Sequence, residues 1–329
     1  MSSHGLETSV VTDVVLPVSL ALIMFGMGLG LRGQDFRRVG KIPRAVFVGL
    51  LFQVAVLPFL GLGIAWTFRE FFGLPDALAL GLLLIACCPG GATSNVVTYL
   101  ARADAALSVT MTSVGSLLAW LTTPATFFLT SRILFRNAER VNVSFLEMVL
   151  LVLAILVVPV LLGMAVRRWR SRFAVAADAP FRVLSMLLLA VLIAWIIYEN
   201  RADFWSDLAR TAPPVVLLNV LALGVGLAAG WLARLHLLQS RAVSIELGFQ
   251  NGTLGIALAV TQLESAESAL MPAFYGLLMF FTGAAVGGVW ARDARRRGLT
   301  MPGEAPARKY AIPMREWVAR EGSAERPPE

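Results

Sequence analysis

The sequence predicts an all-α polytopic membrane protein of about nine spanning helices, and three observations carry the prediction. Uncharged apolar runs long enough to cross a bilayer recur along the chain. Charged residues are 15% of the chain and hydrophobic residues 57%, whereas a soluble domain is about 25% charged. The Lys and Arg residues concentrate on alternate connections between the runs. A spanning helix needs about 20 apolar residues. Runs meeting that rule lie near 14–31, 45–66, 77–100, 105–129, 146–166, 182–198, 212–233, 242–263 and 269–290.

The first run follows "MSSHGLETSVVTD", which has no basic segment and no evident cleavage site. It reads as a retained helix, with residues 1–13 as an extracellular N-terminus. Its "MFGMGLG" stretch supplies small residues for close helix packing and lacks the strand context of a nucleotide loop. The second run holds Gln53. The third is interrupted by "CCPGGATSN", and the fourth carries Ser108 and Thr112 on one helical face. The seventh holds Pro213 and Pro214 near its start. The eighth, "AVSIELGFQNGTLGIALAVTQL", is interrupted by three glycines, and "RDARRRG" follows the ninth. Beyond it, 292–329 reads as a basic, Pro-rich cytoplasmic tail.

The net charge of +7 raises the question of nucleic acid. Mapping the charges onto the connections answers it. With the N-terminus outside, one side holds 22 of the 28 Lys and Arg residues and the other six. Positive-inside bias explains this and puts the C-terminus in the cytoplasm. No nucleic-acid partner and no obligate protein partner is indicated. Cys87 and Cys88 are adjacent and intramembrane, so they form no disulfide framework and read as small packing residues. His4 and His236 are far apart and outside the runs, which leaves no His-based metal site.

Two segments resemble each other. "QDFRRVGKIPRAVFVGLLF" follows the first run and "ADFWSDLARTAPPVVLLNV" the sixth; each has Asp-Phe, a polar turn and then Pro near the next helix start. Five runs separate them, so the topology is inverted, a common transporter plan. The plan predicts broken helices at matching places. The breaks of the third and eighth runs are each third in their half, and at about 1.5 Å rise per residue each falls near the bilayer midplane. Backbone groups freed there need partners in protein, water or an ion.

Glu246 is the only acidic residue in the interior of any run. A carboxylate there costs about 2.5–3.5 kcal/mol on insertion scales. No basic side chain lies at its depth, so it is protonated or paired with a cation. Gln250 is four residues on. Ser94, Asn95, Ser108, Thr112 and Gln53 supply neutral oxygens from the first half. One carboxylate among neutral oxygens suits a monovalent ion better than Ca²⁺. Opposed helix N-termini at the breaks favour an anionic substrate group. No intramembrane His or Lys stands beside a Ser nucleophile, so serine-type enzyme chemistry lacks its base.

At these residues the chain resembles the bile acid:sodium symporter family. The carrying motifs are "IMFGMGLGLRGQDF", "CCPGGATSNVVTYLARADAALSVTMTSV" and "IELGFQNGTLGIALA", within a resemblance covering roughly 15–292. The resemblance implies two crossing discontinuous helices and a 14–291 transporter domain. Its core comes from runs 2–4 and 7–9 and its panel from runs 1, 5 and 6. It implies two Na⁺ sites. One is formed by Ser94, Asn95, Ser108, Thr112 and Glu246. The other is formed by Gln53, Glu246, Gln250 and the carbonyls of Leu247 and Phe249. Thr93 and Asn251 would face the substrate. The family's usual Thr-Ala-Ser-Asn after Pro-Gly-Gly is here Ala92-Thr93-Ser94-Asn95, which moves a hydroxyl by one residue. The implied function is sodium-coupled symport of an organic anion, a bile acid or smaller carboxylate, by alternating access in a plasma membrane (the bacterial inner membrane). Two other readings stay open on the residues alone: a proton-coupled organic-acid transporter using Glu246, and a metalloid carrier using Cys87 and Cys88.

Overall fold

A computed structural model describes residues 16–31, 33–135, 144–199 and 204–299. Every regular element among them is helical. Besides a short helical stretch at Gly33–Arg37 and Arg38–Gly40, these are in order α1 (Leu16–Gly30), α2 (Pro43–Phe72), α3 (Asp76–Cys87), α4 (Thr93–Leu100) and α5 (Ala105–Phe135). They continue with α6 (Phe145–Trp169), α7 (Ser171–Glu199), α8 (Phe204–Leu232), α9 (Leu237–Gly248), α10 (Gly252–Thr261) and α11 (Ala266–Arg296). Among the described residues, five stretches are long and apolar enough to cross a membrane: Pro43–Phe72, Ala105–Phe135, Phe145–Trp169, Trp205–Leu232 and Ala266–Arg296. Pro17–Gly30, Asp76–Cys87 and Gly252–Thr261 are shorter apolar helices. The chain is an all-α polytopic membrane protein.

Three expectations need adjustment at their edges. α7 begins at Ser171 and α8 at Phe204, both earlier than the apolar runs suggest, because the runs mark bilayer depth and the helices extend past it. Pro213 and Pro214 therefore lie inside α8, while Pro43 opens α2. The proposed repeat of a polar turn followed by a helix-starting Pro holds only in its first copy. The basic cluster assigned to the tail is helical instead. Asp293 accepts from Arg297 one turn on (2.7 Å) and from buried Arg241 of α9, which holds the end of α11 in register. Residues 1–13, and the tail from 300 onward, lie outside the described residues.

Two helices carry a π-turn where a proline follows. Pro58 has no N–H and its ring clashes with the carbonyl of Val54, so α2 widens over Phe52–Val56. Pro159 does the same to α6 over Leu153–Val157. The first π-turn rotates Gln53 into the protein, where it is 5% exposed.

Small residues let the helices close on one another, as expected where lipid offers no hydrophobic drive for association. A methyl on Gly28 of "MFGMGLG" would overlap the Val160 backbone, and one on Gly163 the Phe25 carbonyl, so α1 lies directly on α6. α8 and α9 approach through Gly226 and Gly230 against Ser244 and Ser240. Ser244 Oγ donates to the Leu223 carbonyl across that seam (2.6 Å). Residues Leu82–Cys88 and Gly252–Val260 are buried without interruption, which makes α3 and α10 inner helices. Their ends meet at the two breaks.

Candidate functional site

The breaks cross as a two-residue antiparallel contact, Gly90 opposite Gln250. Gly91 N–H donates to the Phe249 carbonyl (2.7 Å) and Asn251 N–H to the Pro89 carbonyl (2.9 Å). Backbone groups freed by each break thus satisfy the other, which answers the demand that no polar backbone stay unpaired in lipid. The exchange has local two-fold symmetry. It equates Pro89 with Phe249, Gly90 with Gln250, Gly91 with Asn251 and Cys88 with Gly248. A methyl on Gly90 would overlap the Glu246 carboxylate, so glycine permits the approach without displacing it.

Glu246 sits in the last turns of α9 and is 2% exposed. Its Oε2 accepts from Ser94 Oγ (2.7 Å) and Ser108 Oγ (2.9 Å), and its Oε1 from Thr112 Oγ1 (2.6 Å). Asn95 Oδ1 also faces Ser108 Oγ (2.9 Å) and Thr112 Oγ1 (3.3 Å). The five residues expected around one ion are therefore in mutual contact, drawn from α4, α5 and α9. Three hydroxyl hydrogens serve two carboxylate oxygens and an amide oxygen, so the cluster has more lone pairs than protons. That donor set fits a cation of the oxygen-seeking class. Thr98, which sequence reading passed over, adds a bond to Ser108 Oγ (3.3 Å).

The second expected group also converges. Gln53 Nε2 donates to Gln250 Oε1 (2.7 Å) and to the Cys88 carbonyl (2.9 Å). Gln250 Nε2 donates to the Leu247 carbonyl (2.5 Å). Phe249 gives its carbonyl to the crossing. Gln53 Oε1 is buried with no hydrogen-bond partner, an orphaned acceptor of the kind a bound cation would satisfy.

Thr93 and Asn251 line a cavity of about 260 Å³ beside the crossing, together with Asn95 and Gln250. Its apolar wall includes Met24 and Met27 of α1 and Met279 of α11, and among the described residues no Lys or Arg lines it. α4 begins here without a side-chain cap. α10 begins here with Asn251 as its cap, Oδ1 accepting from Leu254 N–H (3.0 Å). The Asn251 side chain is thus half committed to structure, and its amide nitrogen faces Met24. Thr93 Oγ1 has no partner. The thiols stand elsewhere: Cys87 Sγ lies 3.8 Å from Thr130 Oγ1 of α5, and neither cysteine lines the cavity.

The sequence profile of the Sodium Bile acid symporter family matches residues 17–206. The "Uncharacterized sodium-dependent transporter YocS" of Bacillus subtilis (strain 168) is 28% identical over 86% of this chain and 84% of its own. The "Probable sodium/metabolite cotransporter BASS1, chloroplastic" of Arabidopsis thaliana is 29% identical over 85% of this chain and 67% of its own. The "Probable sodium/metabolite cotransporter BASS2, chloroplastic" of Oryza sativa subsp. japonica is 33% identical over 89% and 66%. The profile match covers more than half of the sequence and spans the first break with its polar cluster, and the chain belongs to the Sodium Bile acid symporter family.

Proposed function

We propose that the protein is a secondary transporter, not an enzyme, that couples entry of two Na⁺ ions to uptake of an organic anion. The observation that carries this is the single buried carboxylate, Glu246, gripped by Ser94, Ser108 and Thr112 where two broken helices cross. One ion takes the Ser94, Asn95, Ser108, Thr112 and Glu246 oxygens. The second takes Gln53 Oε1, Gln250, Glu246 and the Leu247 and Phe249 carbonyls. Relatives named as sodium-dependent transporters and sodium/metabolite cotransporters favour sodium over protons as the coupling ion. Neither cysteine lines the cavity, which speaks against a metalloid carrier.

The anion binds in the cavity between α1 and the crossing. Its charge is met by the N-termini of α4 and α10, with Thr93 and Asn251 orienting it. A volume of about 260 Å³ is below the 300–1,000 Å³ of drug-sized pockets, which favours smaller carboxylates over bile acids. α1 packs chiefly on α6 and α7 and only lightly on the crossing helix α10. This supports a panel of α1, α6 and α7 moving against a core of α2–α5 and α8–α11, in nine crossings with the C-terminus inside. The test is a thermal-shift screen of the purified protein against small organic acids and bile salts, in sodium and in choline. Stabilisation by an acid that requires sodium is expected. Equal stabilisation in both media refutes the coupling.

A further inference from the structure

In an unbroken helix the last carbonyls of α9 would bond to amides of the next turn; the break frees them. Three in succession find three different partners. Leu247 accepts from Gln250, Phe249 from Gly91 across the crossing, and Gly248, between them, from neither side of the ion site. The Gly248 carbonyl turns outward and accepts from Asn219 Nδ2 of α8 (2.8 Å) and Tyr275 Oη of α11 (3.0 Å). Both side chains are fully buried. A lone amide and a lone phenol thus meet on one carbonyl, in a region where neither has water to compete.

The local two-fold sharpens the reading. It equates the Cys88 carbonyl with the Gly248 carbonyl, and each receives a side-chain amide from the helix that precedes its broken helix: Gln53 from α2, Asn219 from α8. Each amide keeps a buried oxygen with no partner, Gln53 Oε1 and Asn219 Oδ1. Asn219 is therefore the structural counterpart of a residue in the proposed second ion site. It lies on the outer side of the backbone that supplies that site's carbonyls.

We infer that Asn219 and Tyr275 are positioning residues for the second sodium site. They clamp the Gly248 carbonyl outward and so fix the peptide planes on either side of it, which sets the direction of the Leu247 and Phe249 carbonyls. The clamp determines how tightly those two oxygens close on an ion, and hence the preference for Na⁺ over the smaller Li⁺. The inference rests on the sodium reading above and deepens it. Partners that orient metal ligands from behind typically change metal affinity by about 10–100-fold when removed.

The test is sodium titration of the thermal unfolding transition for wild type, Tyr275→Phe and Asn219→Leu, repeated with lithium. The midpoint for sodium is expected to rise about tenfold in each variant, with the sodium-to-lithium preference reduced. A merely structural role would lower the sodium-free unfolding temperature and leave both midpoints where they were; that result overturns the inference. Tyr275→Phe removes a single oxygen and carries the test where Asn219→Leu fails to fold. Sodium-independent unfolding of the wild type would instead refute the sodium reading itself, and the clamp with it.

Discussion

Thr112→Val isolates one hydroxyl of the proposed first ion site. Valine keeps the β-branched shape, so α5 keeps its rotamer preference. The change removes the 2.6 Å bond to Glu246 Oε1, the 3.3 Å contact with Asn95 and a 3.0 Å bond back to the Ser108 carbonyl. Only the last is shared with ordinary threonines of the same helix. Thr122 bonds solely back to the Leu118 carbonyl (3.1 Å), so Thr122→Val is the matched control. Hydrogen bonds to charged groups contribute about 1.5–3 kcal/mol. If the hydroxyl oxygen ligates sodium with comparable strength, its loss raises the sodium midpoint by roughly 10–150-fold relative to the control. The assay is the sodium dependence of the unfolding temperature, followed by the sodium dependence of uptake once a substrate is known. A Thr112→Val midpoint within about twofold of the control, a difference worth only about 0.4 kcal/mol, would remove Thr112 from the ion's shell.

Gly90→Ala places a methyl against the Glu246 carboxylate and is expected to destabilise the folded protein by about 1–3 kcal/mol. Gly63→Ala on α2, where a methyl meets nothing, should be neutral or mildly stabilising; unfolding temperatures compare the two. Replacing Cys87 and Cys88 together by Ala should leave sodium-dependent stabilisation intact, since Cys88 acts through its carbonyl; its loss would revive the thiol-based carrier. Glu246→Gln keeps the shape but removes the charge, and the sodium-dependent shift is expected to vanish; a retained shift would show that the ion is held without it. Gly28→Leu should separate α1 from α6 and lower the yield of folded protein, read by size-exclusion profile.

Glu246 and both breaks were legible because each violates a strong local rule. A carboxylate in a 20-residue apolar run, and Pro-Gly-Gly inside a helix, have no cheap structural explanation. Ser94, Asn95, Ser108 and Thr112 followed from their spacing and from resemblance to a known family. Asn219 and Tyr275 did not, because a single amide or phenol in an apolar run reads as a packing residue until its partner is known. That partner, the Gly248 carbonyl, is a backbone atom present in every residue and marked by no side chain. Gln53 was visible, yet its inward turn depends on the π-widening before Pro58, a register change the apolar pattern does not display. The early starts of α7 and α8 were hidden for a different reason: hydrophobicity reports where lipid begins, while the helix continues as long as its hydrogen bonds do.

The local two-fold also exposes a difference in charge between the halves beside the crossing. Counting back from the paired Gly90 and Gln250, the counterpart of Glu246 is Ala86, a fully buried methyl. A symmetric crossing therefore carries an asymmetric charge. Were both positions acidic, two ions would leave the crossing neutral. With one carboxylate, the two proposed sodium ions leave a net charge of +1 at the crossing. The N-termini of α4 and α10 add partial positive charge to the adjoining cavity. An anion entering that cavity then meets a field that exists only when both sodium sites are filled. Without the ions the buried carboxylate repels it. On this reading, obligatory coupling follows from charge balance in a low-dielectric site and needs no cationic side chain, in keeping with a cavity whose described lining holds no Lys or Arg.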